Sequence, residues 1–239
     1  MEKKFNILIT GASRGIGKAI ANRLAKHSGN LLITSKQEET LQQALSLLQE
    51  KVSGNLFGFY SDHNFAQEAA KNIAEWAASK IDTLDVLVLN AGMFIEGELC
   101  GIDNESFTSN MEVNMMVNFY LVKELIHLMK KSEYARIIIT GSTAAYEAYP
   151  AVPTYGVAKW ALRGYAINLR KELAKDSIGV TFIAPGGTWT DMWEGEDLPA
   201  DRLLEADDIA KVVENLLTLS TQAVVEELII RPMLGDFHE

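Results

Sequence analysis

Short apolar runs alternate with amphipathic helical stretches almost to the end of this chain, and that alternation narrows its fold more than any other feature. The runs are Phe5–Thr10, Leu31–Thr34, Leu56–Tyr60, Asp85–Leu89, Arg136–Thr140, Val180–Ala184 and Glu227–Arg231. Between them, apolar residues recur at helical spacing. Ile16, Ile20 and Leu24 follow the first run, and Leu41, Leu45 and Leu48 lie within Glu38–Lys51. Val113, Val117, Leu121 and Leu125 mark one long helix from about Asn104 to Lys131, while Phe65–Lys80, Pro153–Lys175 and Asp208–Leu219 complete the set. Such an order predicts a parallel sheet covered by helices on both faces. The expectation is an α/β fold: a single doubly wound domain over residues 1–239, with a mostly parallel sheet of seven strands. A polar, irregular stretch at about 188–205 is the one long interruption, and no repeat or linker is visible.

Composition limits the partners. A formal charge of −10 opposes a nucleic-acid surface or an anionic membrane. Cys100 is the only cysteine, so no intrachain disulfide can form; it is expected to be a small, semi-buried residue in a reducing compartment. The first apolar run, FNILIT, reads as a strand and not as a signal peptide's core, and no segment reaches the ~18 apolar residues of a membrane helix. A soluble, cytoplasmic protein is expected.

Two stretches carry chemistry. Thr10-Gly11-Ala12-Ser13-Arg14-Gly15-Ile16-Gly17 lies between a strand and a helix. There Gly11 permits a tight turn, Gly15 lets a pyrophosphate approach the backbone, and Gly17 lets helix and strand pack closely. The helix N-terminus supplies N–H groups to phosphates. The spacing is G-x-x-x-G-x-G, without the Lys-Ser/Thr pair of a nucleoside triphosphate loop. At the end of the second strand, Thr34-Ser35-Lys36-Gln37 has no acid for a ribose 2′-OH. Arg14 and Lys36 either flank a 2′-phosphate or are solvated surface cations. NADP(H) is favoured on this reading, and NAD(H) stays open.

The second stretch runs from Ser142 to Lys159. Tyr155 and Lys159 are four apart on a helix, hence on one face. A lysine ammonium there is expected to lower the tyrosine's pKa from its ordinary ~10, as proton transfer requires. Ser142, thirteen residues earlier, adds a hydroxyl to the same point. These groups handle a proton on a carbonyl or alcohol.

Together these pieces resemble the short-chain dehydrogenase/reductase family, classical type, over almost the whole chain. Its T-G-x-x-x-G-x-G is met by Thr10 to Gly17, its N-A-G by Asn90-Ala91-Gly92, and its helical Asn by Asn114. Its Ser is matched by Ser142, its Y-x-x-x-K by Tyr155 and Lys159, and its P-G by Pro185-Gly186, with a threonine following at Thr190. The resemblance implies a Rossmann-type domain and a ketone–alcohol oxidoreductase. Tyr155 would protonate the carbonyl oxygen as hydride arrives from a nicotinamide. Lys159 would hold the nicotinamide ribose, Ser142 the substrate oxygen, and Asn114 a water leading from Lys159 to solvent.

Cofactor contacts are implied at Thr10, Gly11, Ser13, Arg14, Gly15, Ile16, Gly17, Ser35 and Lys36. Asp62 would meet the adenine, with Asn90, Ala91 and Gly92 on the adenosine side. Pro185, Gly186, Thr188 and Thr190 would surround the carboxamide. Thr188 departs from the family, which more often has an aliphatic residue there. Asn90 has a second reading, tying strands together, and Asp62 another as a turn residue.

Rival readings are few. Ser142 lacks the G-x-S-x-G of a nucleophile elbow. His27, His63, His127 and His238 show neither a triad context nor metal spacing, so no metal is expected. A catalytically silent dinucleotide sensor of the same fold is the non-enzymatic alternative. For the substrate, the expected walls are Met93–Ile95, Thr143–Val152 and the stretch after Pro185. Phe94, Ile95, Tyr146, Tyr149, Trp189, Met192 and Trp193 make them suited to an apolar or aromatic carbonyl. Asp191, Glu194, Glu196 and Asp197 disfavour a densely anionic one. A 3-oxoacyl group on an acidic carrier protein would require a basic patch, for which Lys123, Lys130, Lys131, Arg163, Arg170 and Lys171 are candidates. The family's usual homo-tetramer, or a homodimer, is implied through the long helix and the Tyr155 helix.

Overall fold

The computed structural model describes residues 4–236 except 194, 196 and 200. Glu194, Glu196 and His238, and the side chain of Met192, therefore lie outside the described residues.

Seven parallel strands form one sheet in the order β3-β2-β1-β4-β5-β6-β7. They are β1 (Phe5–Ile9), β2 (Ser28–Ser35), β3 (Asn55–Tyr60), β4 (Val86–Leu89), β5 (Ala135–Thr140), β6 (Ile178–Pro185) and β7 (Glu227–Ile230). The register pairs Ile7 with Leu31 on one side and with Val86 on the other. The period-two alternation of each strand divides the core. Ile7, Ile9, Val86, Val88 and Ile138 face one side, while Leu8, Leu87, Leu89, Ile137 and Ile139 face the other. The first side is covered by α1 (Gly15–Leu24), α2 (Glu38–Leu48) and α7 (Ala206–Leu216), through Ile20, Leu24, Leu41 and Val213. The second is covered by α3 (Ala66–Ala78), α5 (Val117–Met129) and α6 (Pro153–Leu173), through Ile73, Leu121, Leu125 and Leu162. Among the described residues no helix is long and apolar enough to cross a membrane, and no cluster could hold a metal ion.

The chain order reverses between β1 and β4, which opens a crevice at the carboxyl ends of these strands. Everything of chemical interest lies there.

Two expectations are corrected. The single helix expected over 104–131 is α4 (Asn104–Met111), one π turn (Glu112–Met116) and then α5. Its cause is local competition for carbonyls. The amide of Asn114 donates to Asn110 O (3.1 Å), and that of Asn118 donates to Asn114 O (2.9 Å). The widened turn holds Asn114, fully buried, under the crevice. Cys100 is exposed, not semi-buried, because it lies in the irregular segment before α4.

Candidate active site

The turn from β1 into α1 lines one end of a cavity of about 450 Å³. Gly11 and Gly15 adopt φ of 62° and 53°, which a side chain would strain. A Cβ at Gly17 would overlap the Gly11 carbonyl, so helix and strand meet only because that position is bare. Arg14, the N-cap of α1, is extended and its side chain caps nothing, leaving the first N–H groups of the helix to the cavity. Thr10 Oγ1 accepts from Asn90 N (3.0 Å) and Ala91 N (3.1 Å). Asn90 returns its amide to Thr10 O (3.3 Å) and Gly11 O (3.1 Å). Asn90 therefore both lines the cavity and ties β1 to β4.

Beside this turn, three hydroxyls close a small ring: Ser13 to Ser35 (2.8 Å), Ser35 to Thr40 (3.3 Å) and Thr40 to Ser13 (3.2 Å). Both cations expected to flank a phosphate stand next to a carboxylate. Arg14 lies 3.7 Å from Asp191 and Lys36 3.7 Å from Asp62; Asp62 is half-buried and the other three are exposed.

The other end of the cavity holds the proton-handling groups. Tyr155 is on the first turn of α6, whose start is set by Pro153 at N1, with Lys159 one turn on. Lys159 is 3% exposed, donates to Thr140 O (3.3 Å), and its Nζ lies 5.3 Å from the Tyr155 ring centre. Ser142 comes directly after Gly141, which lines the cavity, but does not itself line it; its hydroxyl accepts from Ala144 N (3.1 Å). Phe94 covers the Tyr155 ring at 5.5 Å between centroids.

The titration of this pair differs from the expectation that lysine would lower the tyrosine. Burial pushes Tyr155 up to about 12, against a smaller opposing effect of the Ser142 hydroxyl. Burial also pushes Lys159 down to about 8. The reason is that both groups leave water, and desolvation penalises each charged form separately.

The structure brings Gly11, Ser13, Arg14, Gly15, Ile16, Ser35, Lys36, Asn90, Ala91, Gly92, Tyr155, Lys159 and Thr190 to this one cavity. Thr10 and Gly17 shape it from behind. Asn114 is buried beneath the wall. Its Oδ1 accepts from Met93 N (3.3 Å) and its amide donates to Met93 O (2.9 Å), so it clamps the wall's backbone. Asp62 accepts from Asn64 N (3.1 Å) in a local turn and does not line the cavity. Pro185, Gly186 and Thr188 also stand back from it, the Thr188 hydroxyl donating to Gly186 O (2.9 Å).

Sequence reasoning missed Gln37, Thr40, Thr140 and His63, all of which line the cavity. His63 is 7% exposed, and burial pushes its pKa down to about 4. Its place directly after Ser61–Asp62, at the end of β3, was the available signal. Tyr146, expected on the substrate wall, turns away: its hydroxyl donates to Glu227 (2.8 Å) and its ring lies under Arg163.

Compared with known proteins, residues 6–199 match the family model for short chain dehydrogenase. The chain belongs to the short-chain dehydrogenase family. It is 31% identical to a 3-oxoacyl-[acyl-carrier-protein] reductase, FabG, of Haemophilus influenzae, over 86% of this chain and 87% of that one. Among solved structures, it matches an alcohol dehydrogenase of Thermococcus sibiricus complexed with 5-hydroxy-NADP. The TM-score is 0.87 at 27% identity, over 97% of each chain. A short chain dehydrogenase of Burkholderia cenocepacia in complex with NADP also gives a TM-score of 0.87. It is 28% identical, over 96% of this chain and 97% of that one. The seven-stranded sheet is thus the Rossmann-like fold of short-chain dehydrogenases, and the protein is an oxidoreductase of that family.

Proposed function

We propose that this short-chain dehydrogenase interconverts a ketone and a secondary alcohol with NADP(H), Tyr155 acting as general acid and base. One observation carries the reading. The bare N-terminus of α1 and the Tyr155–Lys159 pair line the same cavity, with Ser142 directly after its lining residue Gly141.

A dinucleotide fits the residues present. Gly11 and Gly15 keep side chains out of the turn, and the uncapped α1 N–H groups suit a pyrophosphate. Ser13, Arg14, Ser35, Lys36 and Thr40 suit a 2′-phosphate, in a chain with no acid at the end of β2. The neighbours bound to NADP and 5-hydroxy-NADP support the same preference. Tyr155, Lys159 and Thr190 would hold the nicotinamide half, with Asn90, Ala91 and Gly92 on the adenosine side. Thr10, Gly17, Pro185, Gly186 and Thr188 would act by shaping the walls, and Asp62 by holding Lys36. NADP(H) supplies or accepts the hydride.

The chain's own residues manage the proton. Tyr155, with its pKa raised to about 12, stays protonated at neutral pH and can donate to a carbonyl oxygen. Ser142 positions that oxygen and stabilises its developing charge. Lys159, one turn beyond Tyr155, would hold the nicotinamide ribose, and Asn114 keeps the adjoining Met93 wall in place.

Phe94, which lines the cavity, suits an apolar or aromatic ketone; Tyr149, Trp189 and Trp193, also expected on the walls, stand outside its lining. Carrier-protein docking is less well supported, because Lys130, Arg163 and Arg170 are paired with Asp176, Glu227 and Glu226. Exposed Phe119, Val157 and Trp160 on α5 and α6 support assembly through these helices, read as a homo-tetramer. A monomer mass in solution would remove that part.

The test is fluorescence binding of NADPH and NADH, followed by oxidation of each with a panel of ketones, for wild type and Tyr155→Phe. Turnover with NADPH that collapses in the variant while binding survives supports the proposal. Binding without turnover on any ketone points to a sensor, and binding of neither cofactor overturns both readings.

A further inference from the structure

Asp236, in the segment after β7, is a carboxylate only 2% exposed. Burying such a group is unfavourable unless its lone pairs are matched. Here they are, by partners from two separate parts of the cleft. Oδ2 accepts from the Tyr149 hydroxyl (2.5 Å) and pairs with Arg231. Oδ1 accepts from Gly187 N (3.3 Å) and fills the space that a side chain at Gly186 would need. Arg202 grips the backbone on either side, donating to Gly235 O (2.8 Å) and Asp236 O (2.9 Å). Arg231 reaches on to Glu147, in the same loop as Tyr149. One side chain thus joins the loop after Ser142 to the turn after β6, the two walls between which a substrate would sit.

The charge also sets direction. A carboxylate only accepts, so the Tyr149 hydroxyl must donate to Asp236. Thr143 Oγ1, 2.9 Å from that hydroxyl, must then donate to Tyr149.

We infer that Asp236 is a positioning residue that sets the spacing of the two substrate-side walls through Tyr149 and Gly187, and so governs affinity for the carbonyl substrate. The inference rests on the ketone reductase reading for its kinetic consequence, though not for its structural one.

Two measurements on Asp236→Asn, Tyr149→Phe and the double variant test it. In kinetics at saturating NADPH, Asp236→Asn should raise KM for the ketone roughly tenfold, the worth of one charge-assisted hydrogen bond. The Kd for NADPH should stay within about twofold, and the double variant should be no worse than Asp236→Asn alone. In hydrogen–deuterium exchange, Asp236→Asn should speed exchange in 143–152 and 186–191 together and leave 10–17 unchanged. Tyr149→Phe should affect only 143–152. Unchanged exchange in both walls overturns the inference, as does a rise throughout the chain, additive KM effects, or NADPH affinity falling in step with KM. If wild type binds NADPH but reduces no ketone, the functional reading fails and the exchange result alone decides this one. If Asp236→Asn does not fold, Tyr149→Phe with unaltered 143–152 exchange overturns it.

Discussion

The Lys159 ammonium nitrogen lies 5.3 Å from the centre of the Tyr155 ring, with its hydrogen bond given to the Thr140 carbonyl and not to the tyrosine hydroxyl. Both groups sit in a site that strips water from them. Burial leaves Lys159 with a pKa of about 8, so its charge is lost within an accessible range. Ketone reduction should therefore fall as pH rises through about 8, and Lys159→Met should lower kcat at pH 7 by roughly 10²- to 10⁴-fold and abolish that limb. The sign for stability is opposite. Between pH 8 and 10.5 the unfolded chain holds more protons at this position, so the fold gains stability as pH rises. Activity and melting temperature measured across pH 7 to 10 should diverge.

Arg14 and Lys36 separate NADPH from NADH in the proposed function. Replacing either with Ala should weaken NADPH binding roughly tenfold, as loss of one charge-assisted bond does, and leave NADH binding nearly unchanged. Fluorescence titration of both cofactors gives the ratio directly. Equal weakening of both would show that the two cations act on something shared.

His63 should make the fold acid-sensitive. Its pKa is lowered from 6.5 to about 4, chiefly by burial, so the unfolded chain takes up the proton first as pH falls. The stabilisation is complete above pH 6.5 and is lost on descending to pH 4, by up to about 3 kcal/mol. Urea unfolding at pH 7 and pH 4.5 should show a smaller difference for His63→Asn than for wild type. Glu214 adds a second, more acidic window. Lys26, His27 and Arg23 hold its pKa down to about 2, so its contribution is lost between 4.5 and 2.

Gly17 and Gly164 should respond oppositely to alanine. At Gly17 the methyl would overlap the Gly11 carbonyl and the Asn90 amide, forcing α1 from β1 at a cost of about 3 kcal/mol or more. At Gly164, on the α6 face shared with Val157 and Trp160, it would meet nothing within 4 Å of its own chain and should stabilise the single chain by about 0.5–1 kcal/mol. Thermal melts of the two variants check the pair.

Much of the molecule was legible in the chain because its signals are periodic and local. Alternation along a strand depends on Cβ direction alone, so Ile7 and Ile9 had to face away from Leu8 whatever packed against them. A tight turn with φ near 60° favours glycine, which has no Cβ to clash there, and this marked Gly11 and Gly15. Residues four apart on a helix share a face, which paired Tyr155 with Lys159. What the sequence could not decide are properties that sum over distant parts. The π turn at Asn114 depends on amides competing within an otherwise regular helix. Tyr146 turns to Glu227, 81 residues away, and Asp236 reaches Tyr149 across 87. The pKa values of Tyr155, Lys159 and His63 follow from burial, which no spacing encodes. Sequence determined the strands, the turn and the helix face; tertiary structure decided which side chains lose water and what they meet there, because desolvation and contact are properties of the packed whole.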